Sequence, residues 1–171
     1  MQSAVILPVG LPAPLEAFRQ GHVGYAPLGL PAHVTLLYPW LPAERLGDGH
    51  FKQLLDVLTG AEAFDFVLAT IERWPTVLYA APHPTAPFNE LVDRLAAAWP
   101  EWPLYGGLGM PFEPHVTLAE PADDAAEAAV RPLAAGCLPA PRRAAEVTVI
   151  VEAQDQRWRT LWRLLLRAAR A

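Results

Sequence analysis

An α+β fold of short strands and short helices is predicted by three features of the sequence. Of its 171 residues, 53% are hydrophobic, which is enough for a substantial core and argues against disorder. The 19 prolines are too many for a helical bundle, whereas they suit short strands joined by rigid turns. The tetrapeptide His-Val-Thr-Leu occurs twice, starting at His33 and at His115, each time within a Pro-flanked apolar run. We therefore expect two similar strands inside one domain that spans residues 1–171.

Apolar spacing predicts the elements of the first half of the chain. Apolar runs or alternation indicate strands, whereas apolar residues three and four apart indicate helices. The predicted elements are a strand over residues 3–9, a brief helix over 14–20, the first motif strand over about 32–38 and a helix over 48–58. Phe51, Leu54 and Leu58 give the last of these its helical spacing, and Gly60 ends it.

The second half of the chain carries the same kinds of signal. Phe64, Phe66 and Leu68 follow each other at alternate positions, as in a strand. The predicted elements are strands over 64–74 and 77–81, a helix over 89–99, the second motif strand within 114–121, a helix over 123–135 and a strand over 146–152. Asp123 and Asp124 suit the N-cap and first turn of the helix that they begin.

The repeated tetrapeptide places matching chemistry on two strands. Because successive side chains of a strand point to opposite faces, His and Thr share one face in each copy. Imidazole has an ordinary pKa of about 6.5, so two imidazoles can act as base and acid in one displacement near neutrality. A single His on an apolar strand is usually a hydrogen-bonded core residue. The repetition, with Pro39 and Pro121 at the same offset, favours instead a metal-free phosphoesterase site.

These residues resemble the paired motifs of the 2H phosphoesterases, a family whose bacterial branch is named after the 2'-5' RNA ligase and includes cyclic nucleotide phosphodiesterases. The likeness depends on His33 with Thr35, on His115 with Thr117, and on the apolar residue after each Thr. It implies two pseudo-symmetric lobes, each an antiparallel β-sheet with helices on its outer face, and a central cleft that carries the paired motifs. It also implies that these four residues are catalytic, without a metal or another cofactor.

The C-terminal tail, residues 156–171, fits two structures. Trp158, Thr160 and Trp162 alternate with arginines, as in a strand, whereas the arginines also fit one face of a helix. The resemblance favours a strand that turns helical at its end.

Metal-free cleavage of a phosphodiester needs a base for the attacking oxygen, an acid for the leaving oxygen and donors for the non-bridging oxygens. His33 and His115 can supply the first two, and Thr35 and Thr117 can supply the donors. These residues predict a metal-independent phosphoesterase, and the resemblance implies that it acts on a 2',3'-cyclic phosphate or a 2',5' phosphodiester of a nucleotide or RNA end. The sequence leaves open the direction of the reaction and which imidazole is the base.

Two other functions stay open at this point. A binding module of the same fold would hold a nucleotide or RNA end without transforming it. A metallohydrolase would use His33 and His115 with a carboxylate, although the chain has no HxH or HxxxH arrangement. Its single cysteine, Cys137, excludes an internal disulfide and a multi-cysteine zinc centre.

Three further residues are candidates for substrate binding. Tyr38 follows the first motif and Phe112 precedes the second, so their rings can stack on a base, although aromatic residues more often pack in a core. Arg157 can reach a phosphate.

Members of the resembled family often have a basic residue shortly after the second motif, where this chain has Glu120. We therefore expect a substrate with a single phosphodiester.

Charge and terminal composition restrict the partners. The formal net charge of −5 argues against binding to long RNA, which needs many contacts from Lys and Arg. Eight arginines from Arg131 onward form either a local cationic surface or a solvated face. No basic residue precedes the first apolar run, and no run approaches the roughly 20 apolar residues of a membrane span. We expect a cytoplasmic monomer without a membrane or an obligate protein partner.

Overall fold

The computed structural model describes residues 1–109 and 111–168 of the chain. The strands within these residues are β1 (Ser3–Pro8), β2 (His33–Leu37), β3 (Phe64–Trp74), β4 (Val77–His83), β5 (Val116–Ala119), β6 (Ala140–Ala144), β7 (Glu146–Glu152) and β8 (Trp158–Leu165). The α-helices are α1 (Ala13–His22), α2 (Asp48–Leu58), α3 (Ala86–Ala98) and α4 (Asp124–Ala135). Short 3-10 helices cover Ala43–Arg45 and Leu104–Gly107.

Two four-stranded antiparallel sheets form the framework. The first sheet has the strand order β2-β1-β7-β8, and the second has the order β5-β4-β3-β6. The two ends of the chain therefore build one sheet, and its middle builds the other. Each motif strand lies at an edge, β2 in the first sheet and β5 in the second. This arrangement confirms the predicted α+β class with an antiparallel sheet in each lobe.

Helices α1 and α3 each connect the two sheets. Helix α1 follows β1 of the first sheet but packs against β5 of the second sheet and against α4. Helix α3 follows β4 of the second sheet but packs against β2 of the first sheet and against α2. Each motif strand is therefore supported by a helix that comes from the other sheet.

An aromatic cluster at the start of α3 joins the helix to the second sheet. Phe88 is fully buried, and its ring meets those of Phe64 and Phe66 edge to face, with centroid distances of 5.0 and 5.2 Å. Because α3 also packs against β2, this cluster belongs to a hydrophobic core that contains residues of both sheets.

Most predicted elements occur where the sequence places them. The bounds of α2, β3 and β7 match the prediction, and the Asp123 carboxylate accepts the Ala126 N–H at 2.8 Å as the N-cap of α4. Strand β8 confirms a strand in the tail. Residues 166–168 are not helical, and the rest of the predicted helical end lies outside the described residues.

In the described part of the chain, no helix combines the length and the apolar character that crossing a membrane requires.

Among the strands of the described residues, β6 is the one that the sequence did not predict. Its residues, Ala-Pro-Arg-Arg-Ala, show no apolar alternation, and Pro141 argues against a strand. In the structure β6 pairs with β3 alone, at the edge of the second sheet. A proline is tolerated there because one side of an edge strand needs no partner.

Replacing Phe88 by Ala should lower the free energy of unfolding by about 3–5 kcal/mol, because it leaves a cavity between α3 and β3. Urea titration followed by circular dichroism measures this change. Leu55→Ala is the matched control, since Leu55 is 49% exposed on α2, and it should change the free energy of unfolding by no more than about 0.5 kcal/mol. Equal effects of the two substitutions would contradict the role given to the cluster.

Candidate functional site

A cavity of about 810 Å³ is lined by residues of both sheets and contains both motifs. His33 and Thr35 reach it from β2, whereas His115 and Thr117 reach it from the beginning of β5. The structure therefore brings the four predicted motif residues to one shared space.

Strand alternation explains why the motifs face the cavity. Val34 and Leu36 of β2 are fully buried in the hydrophobic core, as are Val116 and Leu118 of β5. The His and Thr residues occupy the intervening positions and are partly exposed, so they share the opposite face in each copy. His115 itself lies immediately before the first residue of β5.

The same hydrogen bond orients both imidazoles. Nδ1 of His33 lies 2.7 Å from the carbonyl oxygen of Pro31, and Nδ1 of His115 lies 2.8 Å from that of Glu113. A carbonyl oxygen can only accept, so Nδ1 carries the hydrogen and Nε2 of each neutral ring is left as the proton acceptor. The Thr35 hydroxyl lies 3.2 Å from Nε2 of His33 and can donate to it. Each ring is thus held at Nδ1 by a backbone carbonyl, and its Nε2 is the nitrogen that can exchange a proton with a ligand in the cavity.

The two imidazoles differ in their electrostatic surroundings. Burial lowers the pKa of His33 to about 4, and the positive charge of Arg19 acts in the same direction, against a backbone hydrogen bond that raises it. Burial also lowers the pKa of His115, but its backbone hydrogen bond and the carboxylates of Glu113 and Glu120 oppose that shift. A single proton on the pair is therefore held more favourably by His115 than by His33.

Aromatic rings surround His115. The ring centroids of Trp74, Tyr79 and Tyr105 lie 4.6, 5.6 and 6.5 Å from the centroid of its imidazole. The hydroxyl of Tyr79 donates to the Glu113 carboxylate at 3.0 Å. These contacts restrict rotation of the imidazole and hold a carboxylate beside it.

Several cavity residues were missed by the sequence analysis, among them Arg19, Trp74, Tyr105 and Glu152. Arg19, Trp74 and Glu152 belong to α1, β3 and β7, and packing between elements brings them close to the motifs. Tyr105 lies in the second 3-10 helix, ten residues before His115. One signal marks Arg19 in retrospect. It occupies the buried face of α1, four residues after Leu15, and a charge on such a face requires a polar partner.

Of the three predicted substrate-binding residues, Tyr38 alone lines the cavity, where its hydroxyl donates to the side-chain oxygen of Gln2. Phe112 packs against the hydrophobic core and is not part of the cavity wall, which corrects its predicted position in the cleft. Arg157 is exposed in the turn between β7 and β8 and also lies outside the wall. Trp158, the next residue, lines the cavity instead, because neighbouring side chains at the start of β8 point to opposite faces.

The charged groups elsewhere in the described residues explain the Arg-rich C-terminal part. Several of its arginines form ion pairs with carboxylates at the surface: Arg131 with Glu127, Arg143 with Asp65, Arg159 with Asp155 and Arg167 with Glu62. This pairing favours the interpretation as a solvated face. Among residues 1–109 and 111–168, no group of three His, Cys, Asp or Glu side chains is placed to hold a metal ion.

Comparisons with known proteins identify both a sequence family and a fold. The family model described as the 2'-5' RNA ligase superfamily matches residues 7–156. No curated protein matches the chain significantly. LigT of E. coli complexed with 3'-AMP is 18% identical and aligns over 96% of this chain and 97% of that chain, with a TM-score of 0.57. TT0787 of Thermus thermophilus is 19% identical over 99% and 100% of the two chains, with a TM-score of 0.62. LigT complexed with NADP+ is 22% identical over 97% of both chains, with a TM-score of 0.57.

Both imidazoles should be neutral and protonated at Nδ1 near pH 7.5, because a carbonyl accepts from each Nδ1. Long-range proton–nitrogen-15 correlation spectra measure the tautomer, and His33→Ala and His115→Ala assign the signals. As the pH is lowered, His115 should take up a proton before His33 does, since the pKa of His33 is depressed to about 4. The opposite order, or Nε2–H tautomers, would contradict the described geometry.

Proposed function

The chain belongs to the 2'-5' RNA ligase superfamily, and we propose that it is a metal-independent phosphoesterase in which His33 and His115 act as general base and general acid. The observation that carries this proposal is the convergence of two imidazoles, each held through Nδ1 by a backbone carbonyl, on one cavity. The family that the sequence predicts is confirmed by the family model. The reaction assigned to this chain is our proposal.

The roles of the imidazoles follow from their surroundings. His33 is the base, because burial and Arg19 favour its neutral form, and its Nε2 takes a proton from the water whose oxygen attacks phosphorus. His115 is the acid, since Glu113 and Glu120 favour its protonated form. It gives the Nε2 proton to the departing ribose oxygen as the P–O bond breaks. A 5'-hydroxyl in place of water would yield a 2',5' phosphodiester through the same two proton transfers.

The two threonines supply donors beside the imidazoles. Thr35 and Thr117 both line the cavity, each two residues after its His. As the transition state forms, charge builds on the non-bridging oxygens, and hydroxyl donors placed beside them stabilise it. In this proposal the Thr35 hydroxyl turns from His33 Nε2 to a phosphate oxygen when substrate binds.

The cavity favours a nucleotide-sized substrate with one phosphodiester. Its volume of about 810 Å³ lies within the range of roughly 300–1,000 Å³ of small-molecule sites. Three carboxylates, of Glu113, Glu120 and Glu152, line it, so further phosphates would be repelled. The structure of LigT complexed with 3'-AMP supports a mononucleotide or an RNA end as the substrate class. We propose 2',3'-cyclic nucleotides or RNA-terminal cyclic phosphates.

Replacing either His33 or His115 by Ala should lower kcat for a 2',3'-cyclic nucleotide by roughly 100- to 10,000-fold, because each removes one proton transfer. Turnover is measured with excess chelator present, and circular dichroism checks that the fold survives. His83→Ala is the matched control, since His83 is exposed and lies outside the cavity, and it should keep the wild-type rate.

Three outcomes of this assay separate the proposal from its alternatives. Wild-type rates in both cavity variants would overturn catalysis by the pair. Loss of activity in chelator would instead support a metal-dependent reaction. Tight binding of the cyclic nucleotide by the wild-type protein without turnover would support a binding module.

The pH profile of kcat/KM should have its maximum on the acid side of pH 6.5. The pair is active when His33 is neutral, above about pH 4, and His115 is protonated, below a pKa that burial has lowered from 6.5. Activity should therefore fall as the pH rises through neutrality. Glu113→Gln should move this descending limb to lower pH, because it removes a carboxylate that raises the pKa of His115. Glu101→Gln, at an exposed position outside the cavity, is the control, and an unmoved limb in the Glu113 variant would refute the acid assignment.

A further inference from the structure

Arg19 is a guanidinium buried in the wall of the cavity. Its side chain is 2% exposed, although α1 is otherwise a surface helix with polar residues on its outer face. The helix carries it there because α1 leaves the first sheet and packs against β5, the strand of the second motif. At the end of α1, the carbonyl of His22 accepts the Glu120 N–H at 3.0 Å, which fixes the helix to that strand. Arg19 is thereby held near both motifs.

The protein partners of Arg19 use only part of its hydrogen-bonding capacity. Its Nη2 donates to the carbonyl oxygen of Leu30 at 2.6 Å, and its Nη1 donates to the carboxylate of Glu16 at 3.0 Å. A guanidinium has five N–H donors, and within residues 1–109 and 111–168 these two bonds leave three. Burying a charge with an incomplete set of partners is unfavourable unless a further acceptor arrives. Because Arg19 lines the cavity, its remaining donors are available to an anionic ligand there.

The charge distribution places that ligand on the His33 side of the cavity. Among the described residues that line the cavity, Arg19 is the one Lys or Arg, whereas three carboxylates line it elsewhere. The charge of Arg19 acts on His33, while Glu113 and Glu120 act on His115. An anion that enters the cavity is attracted to Arg19 and repelled by the carboxylates of Glu113 and Glu120 that act on His115.

We propose that Arg19 binds the non-bridging oxygens of the substrate phosphate beside His33. The inference rests on the proposed function, since it gives Arg19 the phosphodiester that the imidazoles would act on. A planar guanidinium matches two phosphate oxygens, which both orients the group for attack and neutralises its charge. In this chain the cationic residue for phosphate is thus supplied by α1, and the position after the second motif is left to Glu120.

The competing interpretation is purely structural. The bond from Arg19 to Leu30 ties α1 to the segment that leads into β2, so loss of the side chain could disturb the first motif without any phosphate contact. The two roles differ in one measurable respect. A phosphate ligand distinguishes a nucleotide from its nucleoside, whereas a structural brace affects both equally.

The test is calorimetric binding of 3'-AMP and of adenosine to the full chain, with the ratio of the two affinities as the readout. Arg19→Met should reduce the preference for 3'-AMP by roughly 10- to 100-fold and leave adenosine binding unchanged, because charge-assisted hydrogen bonds are lost. Arg19→Lys keeps the positive charge but lacks the planar set of N–H donors. It should therefore reduce the preference for 3'-AMP less than Arg19→Met does. Arg94→Met, at an exposed site on α3 outside the cavity, is the control for net charge and should keep the wild-type ratio.

Kinetics with 2',3'-cyclic AMP provide the second readout. Arg19→Met should raise KM by roughly the same factor as it weakens 3'-AMP, and Arg19→Lys should fall between it and the wild type. An unchanged 3'-AMP to adenosine ratio in both variants, or equal losses for the two ligands, would overturn the assignment. A different result would contradict the proposed reaction and not the role of Arg19. In that case the wild-type protein would turn over none of the cyclic nucleotides but would still bind 3'-AMP more tightly than adenosine.

Discussion

A hydrogen bond from each imidazole to the carbonyl two residues earlier is the interaction on which the site depends. Pro31 precedes His33 and Glu113 precedes His115 at this spacing, so the backbone that leads into each motif orients the ring that follows. A carbonyl fixes the tautomer without adding a charge. The proton affinity of each ring is therefore left to burial and to side chains from other elements, and this allows the two rings to differ.

The exchange of helices between the sheets makes the cavity possible. Helix α1 starts from the first sheet and packs on β5, and α3 starts from the second sheet and packs on β2. Each motif strand is an edge strand, with a neighbour in the sheet on one side. The exchanged helices cover the core faces of these strands, so the opposite faces, with His and Thr, stay open to the shared space. A relative shift of the sheets would separate the imidazoles, which couples the aromatic cluster around Phe88 to the geometry of the site.

Local patterns allowed much of the fold and the motif residues of the cavity to be predicted from the sequence. Helix α2 and strands β3 and β7 were predictable because their apolar spacing is set by the periodicity of one element. The motif residues were predictable because the repetition itself marked them. Arg19 and Trp74 were not, since their position in the cavity depends on packing between segments that are distant in sequence. The predicted position of Phe112 was wrong because an aromatic residue near a motif can pack in a core or line a cleft. The local sequence pattern does not distinguish these two positions.

The two identical tetrapeptides of this protein have different electrostatic surroundings. The backbone hydrogen bond and the strand alternation are the same in both copies, so the motif fixes what the two sites share, which is ring orientation and the adjacent hydroxyl. The difference comes first from burial, which lowers the pKa of His33 to about 4, and then from the charges of Arg19 on one side and of Glu113 and Glu120 on the other. The positive charge of Arg19 disfavours protonation of His33, whereas the carboxylates of Glu113 and Glu120 favour protonation of His115. A single proton shared by the two imidazoles is therefore bound preferentially by His115. In the proposed reaction, acid and base roles are thus decided by burial and by charges outside the duplicated residues. Substitutions that reverse those flanking charges should bring the pKa values of the two imidazoles closer together while leaving both motifs intact.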